Sequence, residues 1–170
     1  DSLRRIKPKT VWDLGANTGV FSVKAEKSGA FVLSVDSDPA SVEVNYLECI
    51  KNDRQNILPL IIDLTNPSPA IGWANEERMT LEQRGPADTI LALALIHHLG
   101  ISSNIPLQRI AKFFSGLCQN LIIEFISRED PNVQKMLNLR KDIFSDYNPE
   151  SFETQFGKYF ITKEKINVRD

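Results

Sequence analysis

Residues 10–19, Thr10-Val11-Trp12-Asp13-Leu14-Gly15-Ala16-Asn17-Thr18-Gly19, decide the fold. Val11, Trp12 and Leu14 form a short apolar run that reads as a strand, and Gly15 to Gly19 read as a turn. Beyond the turn, Val20, Phe21, Val23 and Ala25 recur among polar residues in an amphipathic helical pattern. A strand, a glycine turn and a helix in direct succession form the repeating unit of a parallel α/β sheet. The turn of such a unit sits at the carboxyl end of its strand, where nucleotide-like ligands bind. Glycine lets backbone approach a ligand with no Cβ in the way, and a helix start offers free N–H groups.

The acids nearby narrow the choice of ligand. Asp36 ends a second apolar strand, Phe31-Val32-Leu33-Ser34-Val35. A carboxylate there suits a ribose diol, because it accepts two hydroxyl hydrogen bonds. The dinucleotide fingerprint asks for Gly-x-Gly-x-x-Gly; here Asn17 stands between Gly15 and Gly19, so an NAD-dependent oxidoreductase fits poorly. Asp13, at the strand end, can hold a cationic amino group, a need that NAD does not have.

Asp13-Leu14-Gly15-Ala16-Asn17-Thr18-Gly19 followed by Val35-Asp36-Ser37-Asp38-Pro39 resembles the first two motifs of class I S-adenosylmethionine-dependent methyltransferases, in the Gly-Ala-Asn variant of the first motif. The resemblance is specific over residues 11–39 and extends over the chain at the level of element order. It implies a three-layer α/β sandwich with a mostly parallel sheet of strand order 3-2-1-4-5-(7)-6. It also implies S-adenosyl-L-methionine as cofactor, with S-adenosyl-L-homocysteine as product. Asp13 and the loop residues Gly15, Ala16, Asn17 and Gly19 would hold the methionine part, and Asp36 the ribose. Asp63, at the end of the third strand, would meet the adenine amino group, and the backbone N–H of Leu64 a ring nitrogen. Asp63 also reads as the start of an Asx turn.

The 170 residues suffice for one domain with a sizeable core. We take 1–170 as a single cofactor-binding domain, trimmed at both ends, since the first residue is Asp. The apolar share of 42% and charged share of 25% are those of a soluble globule. A net charge of −2 gives no global field for nucleic acid. The basic cluster Arg4, Arg5, Lys7 and Lys9 reads as the solvated face of a leading helix. Cys49 and Cys118 have no Cys or His at metal spacing, so they read as reduced core residues and no metal site is expected. With no signal peptide and no spanning apolar run, the expected location is the cytoplasm.

Along the chain, helices are expected at about 18–28, 39–51, 75–84, 104–118, from Pro131, and at 150–156. Strands are expected at 10–14, 31–35, 57–62, 89–95, 121–126 and 159–168. Pro59 marks the third as an edge strand. The unbroken apolar character of the fourth marks a central one. With six strands in place of the family's seven, either the seventh is missing or 159–168 takes another place, and the first is preferred.

Three residues are candidates for chemistry. His97 and His98 follow the fourth strand, beside the crevice between strands one and four. A neutral histidine there can take a proton from a hydroxyl or amine nucleophile. The sequence leaves open which of the two faces the crevice, with His97 preferred as the nearer to the strand. Glu124 interrupts the apolar fifth strand, and a carboxylate there needs a partner or a cleft; it is a candidate orienter of the substrate. Trp73 and the loop at 64–75 read as a lid or as a pin to the core.

Within the family, the Ile96-His97-His98-Leu99 segment lacks the Pro-Pro-aromatic motif that goes with methylation of base amino groups. Neither cysteine sits near a proline as cytosine C5 chemistry needs, and the Lys-Asp-Lys-Glu set of one RNA ribose methyltransferase family is not evident. The expectation is methyl transfer to an oxygen or nitrogen of a small molecule or saccharide, with nucleic acid kept as a further acceptor class. The rival is a methyltransferase-like binding module without turnover. The oligomeric state is not written in the sequence.

Overall fold

The computed structural model describes residues 2–138 and 143–167. Five strands form one sheet: β1 (Thr10–Leu14), β2 (Phe31–Asp36), β3 (Ile57–Ile61), β4 (Ala87–Ala92) and β5 (Cys118–Ile123). Their order is β3-β2-β1-β4-β5, and all four pairings are parallel. The chain thus winds outward from β1 to β3, then returns across β1 to β4. The crevice at this reversal lies beyond the carboxyl ends of β1 and β4.

The helices are α1 (Ser2–Ile6), α2 (Val20–Glu26), α3 (Pro39–Lys51), α4 (Leu107–Leu117), α5 (Pro131–Asn138) and α6 (Pro149–Phe156). Asp38 caps α3 by accepting from the N–H groups of Ala40 and Ser41, and Pro39 opens its first turn. On one face of the sheet Val11, Val32, Ile57 and Leu91 pack with Ala25 of α2 and Cys49 of α3. On the other, Trp12, Leu14, Ile90 and Ala92 pack with Ile110, Ala111, Phe114 and Leu117 of α4. Cys49 and Cys118 are both free and buried.

β3 is an edge strand, as Pro59 demands. Val32 N–H donates to Asn56 O and Ile62 N–H to Asp36 O, so even-numbered residues of β3 face β2. Pro59 therefore points its missing donor outward, where no ladder bond is lost.

Five expectations need correction. No strand forms at 159–167, and 168–170 lie outside the described residues. Phe160 is instead drawn onto Phe156 of α6, and Glu164 pairs with Arg5 of α1. The expected helix at 75–84 is replaced by two single turns, at Trp73–Asn75 and Glu82–Arg84. Ala74 and Asn75 have φ of 55° and 59°, which ends any helix there, while Thr80 and Gln83 cap each other to start the second turn. β4 stops at Ala92, because Ala94 turns into the left-handed region with φ 49°. β5 begins at Cys118, directly after α4, so Glu124 stands one residue past the strand. Trp73 is 86% exposed and pins nothing.

Candidate functional site

The turn after β1 is built from backbone. The N–H groups of Gly15 and Ala16 both donate to Val35 O at 2.9 Å, which ties the loop to β2. Gly15, Asn17 and Gly19 have φ of 75°, 50° and 83°. Asparagine is among the few side chains that tolerate this region, so Asn17 takes the place of a glycine without breaking the turn. Its Oδ1 accepts the N–H of Thr18 at 2.8 Å.

Asp36 closes the loop from the other side. Its Oδ2 accepts the N–H of Asn17 at 2.8 Å and its Oδ1 that of Asp38 at 2.9 Å. A carboxylate has about four lone-pair sites, so both oxygens keep capacity for hydroxyl donors. The group is half-buried at the open end of β2.

Beneath the loop lies Asp13, 2% exposed. Ser22 Oγ of α2 is 2.6 Å from Asp13 Oδ2 and 2.7 Å from Ser34 Oγ of β2. Asn45 Nδ2 of α3 donates to Ser34 Oγ at 2.7 Å. Burial raises the pKa of Asp13 to about 6; the Ser22 bonds oppose this, and Asp36 adds to it. Asn45 also touches the loop itself. A Cβ built on Gly19 would lie 2.2 Å from Asn45 Oδ1.

At the end of β3, Asp63 forms an Asx turn: Oδ1 accepts the N–H and hydroxyl of Thr65 at 2.8 and 2.7 Å. These bonds hold its carboxyl below the usual range. Leu64 turns inward and lines a cavity of about 190 Å³ with Leu99, Ile105, Arg109, Ile110 and Phe113.

The segment after β4 completes the crevice. A Cβ on Gly15 would meet Leu95 Cδ1 at 3.1 Å, so this segment lies against the glycine loop. Glu124 Oε2 accepts the N–H of Ala94 at 2.9 Å, which holds the segment's first turn. His97 is 6% exposed and its Nδ1 has no hydrogen-bond partner. Burial, then the neighbouring His98, lowers its pKa to about 4, with Asp130 pulling weakly the other way. His97 is therefore neutral at pH 7. His98 is exposed, its ring 4.2 Å from that of His97.

The structure thus joins Asp13, Gly15, Ala16, Asn17, Gly19 and Asp36 into one hydrogen-bonded and packed unit. It sets the segment that carries His97 beside that unit and ties Glu124 to it. Asp63 stands apart in its own turn. Sequence reasoning missed Ser22, Ser34 and Asn45. Ser34 interrupts an apolar strand, and Asn45 falls on the buried stripe of α3 between Val42 and Cys49. A polar residue at a core-facing position was the available signal. Among the described residues no three His, Cys, Asp or Glu side chains gather as a metal site, and no helix is long and apolar enough to cross a membrane.

No protein-family model matches the chain. The nodulation protein NoeA of Rhizobium meliloti (strain 1021) is 43% identical over 153 residues, which cover 89% of this chain and 32% of that protein. The chain thus spans about a third of that relative's length. Monomeric WbdD superposes with a TM-score of 0.66 at 18% identity, over 91% of this chain and 33% of that one. WbdD is described as a bifunctional kinase-methyltransferase. The N-terminal domain of EvdMO1, crystallised in the presence of SAH and D-fucose, superposes with a TM-score of 0.52 at 13% identity, over 69% of this chain and 44% of that one. With the sheet order, these likenesses identify the fold as that of class I methyltransferases.

Proposed function

We propose that this chain, which has the class I methyltransferase fold, binds S-adenosyl-L-methionine and directs its methyl group to an oxygen or nitrogen of a small-molecule or saccharide acceptor. The observation that carries this reading is the single unit formed by the glycine loop and Asp36 through the Asn17 N–H. In it, the carboxylate read as the ribose partner and a backbone cradle are fixed relative to each other.

The residues present fit the cofactor. Asp36 would take the ribose hydroxyls, Asp13 with Gly15, Ala16, Asn17 and Gly19 the amino-acid end, and Asp63 with the Leu64 N–H the adenine edge. The cofactor supplies a methyl carbon on a sulfonium, already a strong electrophile. What remains for the protein is alignment and exclusion of water. Neutral His97 is the base assigned to the acceptor's proton, with its Nδ1 buried and without a hydrogen-bond partner. A freshly methylated alcohol oxygen is so acidic that even a base with a pKa of about 4 accepts its proton. His98 is the solvent-side alternative. Glu124 orients the segment through Ala94. In this reading 1–170 acts as one cofactor-binding domain in the cytoplasm.

Calorimetric titration of wild type and Asp36→Ala with S-adenosyl-L-homocysteine, beside NAD, tests the reading. Binding of S-adenosyl-L-homocysteine that is lost in the variant supports it. Binding of NAD alone points to an oxidoreductase. Cofactor binding without methyl-donor consumption over a panel of saccharide, small-molecule and RNA acceptors points to a non-catalytic module.

A further inference from the structure

We propose that Asn45, Ser34 and Ser22 form a one-way hydrogen-bond relay that keeps Asp13 anionic beneath the glycine loop, with Asn45 also fixing the height of that loop at Gly19. The inference rests on the reading of this loop as the cofactor site, and it assigns the three polar residues as positioning residues for the cationic end of the ligand.

The direction follows from counting protons. Ser22 has one hydroxyl proton and two oxygen neighbours, Asp13 Oδ2 at 2.6 Å and Ser34 Oγ at 2.7 Å. An ionised carboxylate only accepts, so the Ser22 proton goes to Asp13. The Ser34 proton then serves Ser22. Ser34 in turn accepts from Asn45 Nδ2, which only donates. Each donor points towards Asp13, and the last bond of the series is strongest while Asp13 is ionised. Protonating Asp13 would trade a charge-assisted bond for a weaker neutral one in a site where Ser22, Ser34 and Asn45 are all at most 2% exposed. Such chains polarise in one sense, so removing a distant member weakens the last bond.

The surroundings leave this relay as the main support of the charge. β1 contributes Asp13 itself, and β4 faces it with apolar Leu91. β2 adds Ser34 and, at its end, Asp36, whose charge opposes a second anion. α2 adds Ser22 by both its hydroxyl and its backbone N–H. α3 adds Asn45, with the neutral thiol of Cys49 donating to Asn45 Oδ1 at 3.6 Å. Past Cys49, Glu26 and Arg54 pair with each other. Among the described residues no cation appears among the groups acting on Asp13.

The test uses the full chain with carboxyl-labelled aspartate. The Asp13 resonance is titrated by NMR in wild type, Ser34→Ala and Ser34→Thr, and S-adenosyl-L-homocysteine binding is measured by calorimetry from acid to mildly alkaline pH. Ser34→Ala is expected to raise the Asp13 midpoint by ~1 unit. Its affinity at pH 7 falls about two-fold, more at lower pH, and recovers as pH rises. Ser34→Thr, which keeps the hydroxyl, stays near wild type. A midpoint unmoved in Ser34→Ala overturns the relay, whatever the affinity does. A shifted midpoint in a protein that binds no S-adenosyl-L-homocysteine at any pH upholds the relay and overturns the cofactor reading instead.

Discussion

Asp36 Oδ2 accepts the backbone N–H of Asn17 at 2.8 Å, so the end of β2 is tied directly to the crest of the glycine loop. Asp36→Ala is expected to do two things. It removes the carboxylate proposed to take ribose hydroxyls, and it releases the amide of Asn17. A hydrogen bond to a charged group contributes about 1.5–3 kcal/mol, so S-adenosyl-L-homocysteine affinity should fall by at least ~10-fold in calorimetry. Amide hydrogen exchange at Asn17 should quicken in the same variant without ligand. Weakened binding with exchange unchanged would mean that the loop holds its shape without Asp36.

Gly19 and Asn45 are a contact pair across α2 and α3. Gly19→Ala pushes a methyl to 2.2 Å from Asn45 Oδ1 and keeps a φ of 83°. The backbone strain alone costs roughly 1–2 kcal/mol, and the collision adds to it. The variant should lose both stability and ligand binding. Gly19→Ala with Asn45→Ala should recover part of the stability in urea melts, because the collision is gone and the strain remains. Purely additive losses in this double-mutant cycle would rule the contact out.

Two buried groups give the protein opposed pH responses. Asp13 has a folded pKa of about 6, above its ordinary 3.8, so its contribution is full below pH 4 and is lost as pH rises through 6. The shift corresponds to about 3 kcal/mol. His97 has a folded pKa of about 4, below its ordinary 6.5, so its contribution is present above 6.5 and is lost as pH falls through 4. Between pH 4 and 6.5 the two oppose each other in wild type. Asp13→Asn should expose the His97 slope, with stability rising with pH, and His97→Gln the Asp13 slope, with stability falling. Denaturant melts across this range measure both. Equal slopes in the two variants would sink the assignment.

Glu124 earns its place through Ala94. Glu124→Ala takes the acceptor from the exposed Ala94 N–H, at a cost of about 0.5–1.5 kcal/mol. Glu124→Gln keeps an oxygen in the same place and should lose less. If both variants melt like wild type, water replaces the carboxylate there, and the orienting role falls.

The legible parts of this fold were those whose signal is local. The β1–loop–α2 unit, the capped start of α3 and the outward Pro59 each follow from a few adjacent residues. The end of β4 was misplaced because Leu93 and Leu95 continue its apolar run, while the acceptor that turns Ala94 out lies thirty residues on, in Glu124. The strand expected at 159–168 had β-favouring residue types at Tyr159, Phe160 and Ile161, but a strand exists only beside a partner, and Phe160 found an aromatic one. At the site, the acids and glycines were readable by type. Ser22, Ser34 and Asn45 were not, because a relay is a fact of packing between three elements and no spacing along the chain encodes it.

The two borders of the sheet differ in what they permit. On β3, Pro59 removes the central outward donor, so a foreign strand laid there meets a gap in the ladder. On β5, Glu124 N–H donates to Ala92 O, so even-numbered positions face β4 and the N–H groups of Gln119, Leu121 and Ile123 point away from it. No proline interrupts that row. Under heat or partial denaturation, self-association should therefore be lopsided: copies would stack border to border through β5, and a proline or lysine placed at Leu121 would do more for shelf life than any change at the opposite border.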